Sequence, residues 1–219
     1  LNVKIANMSL GSTKTYSGNC DDEDQARAAA IQTAITRGIA VFVATGNIGA
    51  LNGLSMPGCL SNVIAVAATY DAELGREPDR GGYPSADGCF DENASPGTVA
   101  CFSNLGRGIS VVAPGIWTTT SALGGRTATT AGTSNAAPVA AAVGALVLSV
   151  DDGLRPAELK RLLENTGTPV EARNGQKYPR VDAVAALVAA GATPAAAATA
   201  TPTASRTPLP PTAPATATV

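Results

Sequence analysis

Two stretches of this chain, residues 39–44 (Ile-Ala-Val-Phe-Val-Ala) and 63–68 (Val-Ile-Ala-Val-Ala-Ala), are apolar at every position. A strand with one face in water alternates apolar and polar residues, so an unbroken run marks a strand covered on both faces. Before the first run, Ala26, Ala30, Ile31, Ala34 and Ile35 recur at helical spacing, and Gly38 closes the segment. Strand, helix and strand in that order predict a right-handed crossover and a parallel sheet. The expected fold class is α/β, with a mostly parallel central sheet and helices on both faces.

The rest of the chain extends this pattern. Residues 3–10 read as a strand, 11–19 as a loop of turn formers and 109–113 as a further strand closed by Pro114-Gly115. Residues 118–130, with Gly124-Gly125 at the centre, read as a β-hairpin. A buried helix is expected over 136–150. Two more are expected over 156–165, with Pro156 in the first turn, and over 182–190, capped by Asp182. Residues 69–101 are rich in Gly, Pro, Asp and Ser and read as a surface insertion too polar for the core. One domain is expected over 1–191. From 192 to 219 the chain holds 10 Ala, 8 Thr and 6 Pro in 28 residues, a composition that packs no element and reads as a linker.

The formal charge, 15 − 17 = −2, gives no electrostatic case for nucleic acid or an anionic membrane. No apolar run is expected to span a bilayer. The chain has no histidine, and none of its four cysteines forms a Cys-x-x-Cys pair, a poor ligand set for zinc. An even cysteine count in loops fits disulfides and an oxidising compartment. Of the three possible pairings, Cys89–Cys101 closes one local loop and Cys20–Cys59 joins two loops beside the sheet, and these are favoured over four free thiols. No cofactor is expected. Asp21, Asp22, Glu23 and Asp24 form an acidic cluster that invites a structural calcium ion, but charges compensating a helix start are the simpler reading.

The chemistry concentrates in Ala131-Gly132-Thr133-Ser134-Asn135-Ala136-Ala137-Pro138. The apolar helix that follows puts Ser134 at a helix N-terminus, where unpaired N–H groups favour negative charge. A serine there can serve as a nucleophile whose own N–H helps hold an oxyanion. It can equally be an N-cap.

Gly-Thr-Ser-x-Ala-Ala-Pro resembles the nucleophile motif of the subtilisin-like serine proteases, with Val139 where that family usually has His. Four further runs match the family in order: Asn7-Met8-Ser9-Leu10-Gly11, Val43-Ala44-Thr45-Gly46-Asn47, Phe102-Ser103-Asn104-Leu105-Gly106 with Val112-Ala113-Pro114-Gly115, and Tyr178-Pro179-Arg180-Val181-Asp182. The resemblance implies Ser134 as nucleophile and Asn47 as the second oxyanion donor. It implies that Ser9, Leu10 and Gly11 pair with the substrate backbone, as β-augmentation would have it. Ala44, Thr45 and Gly46 are expected to line the pocket for the residue before the scissile bond. Met56-Pro57-Gly58 falls where the family has a pocket-floor turn, often with a cis proline.

A serine nucleophile needs a base, and the family's Asp and His both precede the substrate-binding strand. Their absence leads to the expectation of a partial catalytic domain, inactive alone, cut from a secreted endopeptidase whose N-terminal half carries both. A further domain or surface anchor is expected beyond the linker, and the partner is a polypeptide substrate. Two other readings compete. One is a serine-carboxyl peptidase, which normally has Asp where Asn47 stands. The other is a non-catalytic, protease-like binding or adhesive module displayed on the linker.

Overall fold

A computed structural model of the 219-residue chain describes residues 3–78 and 89–193. The expected linker therefore lies outside the described residues except for its first two positions. In chain order the elements are β1 (Ile5–Met8), β2 (Thr15–Tyr16), α1 (Gln25–Thr36), β3 (Ala40–Ala44), β4 (Leu54–Ser55) and β5 (Ile64–Thr69). There follow β6 (Gly75–Pro78), β7 (Phe90–Ala94), β8 (Ile109–Pro114), β9 (Thr118–Ala122) and β10 (Arg126–Thr130). The chain continues through α2 (Thr133–Val150), α3 (Pro156–Thr166), β11 (Thr168–Glu171), β12 (Lys177–Arg180) and α4 (Ala183–Ala189).

The main sheet has the order β1-β3-β5-β8-β12-β11. The first five strands run parallel, and β11 returns antiparallel at the edge. Every residue of β3 and β5 is buried, as their unbroken apolar runs require. Alternation then divides the two cores. Phe42, Ala44, Ile64 and Val66 face α2, α3 and α4, whereas Val41, Val43 and Ala65 face α1 through Ile31.

Helix α2 lies directly on the first of these faces. A Cβ on Gly144 would stand 2.7 Å from Cζ of Phe42, so only glycine lets the helix approach the ring so closely. The helix begins at Thr133, three residues before the expected start, and reaches 18 residues. By length and composition alone it is apolar enough to cross a membrane, which corrects the expectation that no such run exists. Ala136, Ala137, Ala140, Val147 and Gly144 are nonetheless buried against the sheet, so α2 is a core helix.

The stretch 69–101 departs from a wholly surface position. β6 and β7 form a separate antiparallel ribbon. The chain then turns back: Ala100 N–H donates to the Ala68 carbonyl at 2.8 Å, and Ala94, Ala100 and Cys101 join the α2 core. Small apolar residues fit against the end of β5 where the polar composition hid them. Both favoured disulfides are present, Cys20–Cys59 spanning 39 residues and Cys89–Cys101 spanning 12. The β9–β10 hairpin turns at Gly124 and Gly125 as expected. The β11–β12 hairpin was not expected, because Pro169 and Pro179 pair across it and proline argues against a strand.

Candidate active site

Ser134 is the second residue of α2, behind the N-cap Gly132. The first turn of any helix leaves N–H groups without intrahelical partners. Here Thr133 N–H donates to Asn47 Oδ1 at 2.9 Å, and the Asn135 and Ala136 N–H groups share the Gly132 carbonyl at 3.0 and 3.3 Å. Among the described residues the Ser134 N–H has no acceptor, and the Ser134 hydroxyl has no hydrogen-bond partner.

Asn47 sits in the loop after β3 and is oriented by Thr133. Its Oδ1 accepts from Thr133 N–H and from Thr133 Oγ1 at 2.7 Å. A backbone N–H can only donate, so the amide oxygen must face Thr133 and Nδ2 must face away. Nδ2 has no acceptor among the described residues. Thr133 Oγ1 in turn accepts from Gly46 N–H at 3.2 Å. Two donors, Ser134 N–H and Asn47 Nδ2, are thus left unused on one cleft.

The loop carrying Asn47 is held by a fully buried asparagine. Asn104 Oδ1 accepts from Ile48 and Ala50 N–H, both at 3.1 Å. Its Nδ2 donates to the Thr45 carbonyl and to Ser55 Oγ, both at 3.1 Å. Gly46 has φ +104°, and a Cβ there would run into Asn104 Nδ2 and Ser55 Oγ. Asn104 and Thr133 thus shape the loop that carries Asn47, roles that the sequence reading had not given them. The local run Phe102-Ser103-Asn104-Leu105 mixes polar and apolar residues and does not mark Asn104 as buried; its partners come from residues 45–55.

Ser9, just after β1, reaches the start of α2. Its hydroxyl donates to the Ser134 carbonyl at 2.6 Å and accepts from Asn7 Nδ2 at 2.9 Å. That carbonyl is available because its helical donor would be residue 138, which is proline.

A cleft of about 150 Å³ joins these groups, and Leu10, Gly11, Ala44, Gly46, Asn47 and Ser134 line it. Of the three residues expected to line the pocket, Ala44 and Gly46 border this cleft and Thr45 does not. Thr45 follows the β3 alternation of Val41 and Val43 and is fully buried. Its hydroxyl has no hydrogen-bond partner among the described residues. The Met56–Pro57 peptide is cis, and Met56 bonds Ser12 through both its N–H and its carbonyl. Among the described residues no titratable side chain lines the cleft.

Three residues of the acidic cluster have side-chain partners. Asp21 binds Ser61 through both carboxylate oxygens, Glu23 pairs with Lys14, and Asp24 caps α1.

The model of the subtilase family matches residues 1–205. The chain is 36% identical over 172 residues to an extracellular protease of Xanthomonas campestris pv. campestris, covering 75% of this chain and 24% of that protein. It is 30% identical over 172 residues to Subtilisin BL of Lederbergia lenta, covering 78% and 52%. Among solved structures, a protease from Pseudoalteromonas arctica superposes with TM-score 0.62 at 27% identity, covering 85% of this chain and 51% of the other. The chain therefore spans between a quarter and about half of the length of these relatives.

Proposed function

The chain belongs to the subtilase family, and from that membership we propose that the protein is a secreted serine endopeptidase whose nucleophile is Ser134. In this reading Ser134 Oγ attacks the scissile carbonyl. The developing oxyanion is held by Ser134 N–H and Asn47 Nδ2, whose pairing on one cleft is the observation that carries the proposal. Donors already aimed at the charge need no reorganisation as it forms. The substrate backbone runs along residues 9–11, and the side chain before the scissile bond enters the cleft between Leu10 and Ala44.

The general base lies outside these residues. The chain has no histidine, and among the described residues no titratable group borders the cleft. We assign the base to a further part of the same protein, seated at the edge of β1. That edge supports the assignment in three ways. Among the described residues, no strand pairs with the outer side of β1. The strand leads directly to Ser9. Helix α2, which packs against β1, leaves Leu146 and Val150 49% and 40% exposed, apolar surface on the helix that covers this strand. Secretion is supported by the two disulfides and by the extracellular relative.

A fluorophosphonate probe tests this reading. The full-length protein is expected to label and to hydrolyse peptides, and Ser134→Ala to do neither. Residues 1–219 alone are expected to leave peptides uncleaved. Labelling that survives Ser134→Ala, or a folded full-length protein that never labels, removes the protease assignment.

A further inference from the structure

A second cleft, of about 490 Å³, is lined by Met8, Leu10, Gly11, Ser12, Arg27 and Met56. It shares only Leu10, Gly11 and Ser12 with the nucleophile cleft, so that segment is the wall between the two. A peptide lying along the segment sends successive side chains to opposite sides, and a residue other than the one at the scissile bond reaches the second cleft. This cleft is far larger than any one side chain needs, so size does not select its occupant.

Charge does. Arg27 is the one titratable residue of the lining and stands in the first turn of α1. Its side chain is 45% exposed, and its guanidinium pairs with Asp24 through Nη2 at 3.2 Å. Asp24 also accepts from the Arg27 backbone N–H at 3.0 Å, so both carboxylate oxygens are committed. Asp24 therefore orients the guanidinium without exhausting it. Nε and Nη1 have no partner among the described residues, and an arginine presents its donors as a fork that fits a carboxylate. Met8, Leu10 and Met56 supply apolar contact for a side-chain stem.

We propose that this cleft is a subsite for an acidic side chain of the peptide substrate, with Arg27 as the residue that reads the charge. The proposal rests on the protease reading above. It predicts a preference for Glu or Asp at one substrate position away from the scissile bond, weakening as salt screens the pair.

The test uses the full-length protein and quenched fluorescent peptides varied one position at a time. At one position, Glu or Asp is expected to raise kcat/KM about fivefold over Gln, the scale of a half-exposed ion pair. Arg27→Gln is expected to abolish that selectivity, Arg27→Lys to retain part of it, and Arg27→Glu to invert it toward Lys. A defect in folding lowers all rates but cannot invert a preference. Equal rates for acidic and neutral peptides at every position, or a preference unchanged in Arg27→Gln, overturn the proposal while leaving the protease reading intact. If no peptide is cleaved, the protease reading fails, and fluorescence anisotropy of the same peptides on Ser134→Ala protein decides. Tighter binding of the acidic peptide, reversed by adding Arg27→Glu, supports the subsite, and equal binding overturns it.

Discussion

The hydroxyl of Ser9 donates to the carbonyl of Ser134 at 2.6 Å, joining the segment after β1 to the first turn of α2. The bond exists because Pro138 offers no N–H to that carbonyl. Ser9→Ala is therefore expected to lower kcat about fivefold in the full-length protein, the scale of one net hydrogen bond. Pro138→Ala restores a helical donor to the same carbonyl. The two substitutions should be non-additive, Ser9→Ala costing less when Pro138 is already Ala. Steady-state kinetics on all four proteins measures the coupling, and strict additivity would show that Ser9 acts by another route.

Asn47 and Thr133 make a graded pair. Asn47→Leu is expected to lower kcat by about 10²- to 10³-fold, the loss subtilisin itself shows without an oxyanion donor, with KM little changed. Thr133→Val keeps the backbone N–H to Oδ1 and removes only the 2.7 Å hydroxyl bond, so its kcat should fall by about tenfold. Thr133→Ser retains the hydroxyl and should recover most of that loss. A Thr133→Val enzyme as impaired as Asn47→Leu would mean that Thr133 does more than aim the amide.

How legible was this centre in the sequence? Ser134 and Asn47 each follow a feature that sequence displays: a glycine turn before an apolar helix, and the end of a doubly buried strand. The sheet was legible for the same reason, since residues 39–44 and 63–68 have no polar face to expose. Thr45 shows the limit. Adjacent residues in a strand point to opposite sides, and only the register against β5 decides which side meets the cleft. Asn104 shows another. Its four hydrogen bonds reach residues about fifty positions away, a convergence that local pattern cannot express. Residues 94–101 were hidden by composition, because a few small apolar residues carry the packing inside a polar stretch.

The two disulfides should differ in worth. Chain-entropy reasoning gives about 4 kcal/mol for the 39-residue Cys20–Cys59 loop and about 3 kcal/mol for the 12-residue Cys89–Cys101 loop. Urea unfolding of the two paired Cys→Ala variants is expected to rank them in that order. The reverse order would place native-state contacts, and not loop length, in control.

The start of α3 predicts a pH dependence. The Arg155 guanidinium, 2.6 Å from Glu158, and then the Arg155 backbone N–H at 2.8 Å lower the Glu158 carboxyl from 4.5 to about 2. Between those values the unfolded chain binds the proton and the folded one does not, so stability rises with pH there. The contribution is complete above 4.5 and lost as pH falls to about 2. The Tm gap between the protein and Glu158→Gln should be constant from pH 5 to 7 and close on acidification. A gap that widened in acid would contradict this sign.

The bare Cα of Gly144 has a consequence at the far end of its helix. Ser134 rides on α2 ten residues away, whereas Asn47 is anchored through β3 and Asn104. The gap between Ser134 and Asn47 is thus a tolerance between two parts, the helix and the Asn47 loop, tied to each other through Thr133. Phe42 is the bearing on which one part rests, and a single methyl at position 144 would act as a shim beneath it. The helix would tilt and the gap would change without any substitution at the cleft. The accuracy of the centre is set in the core, by a side chain that is not there.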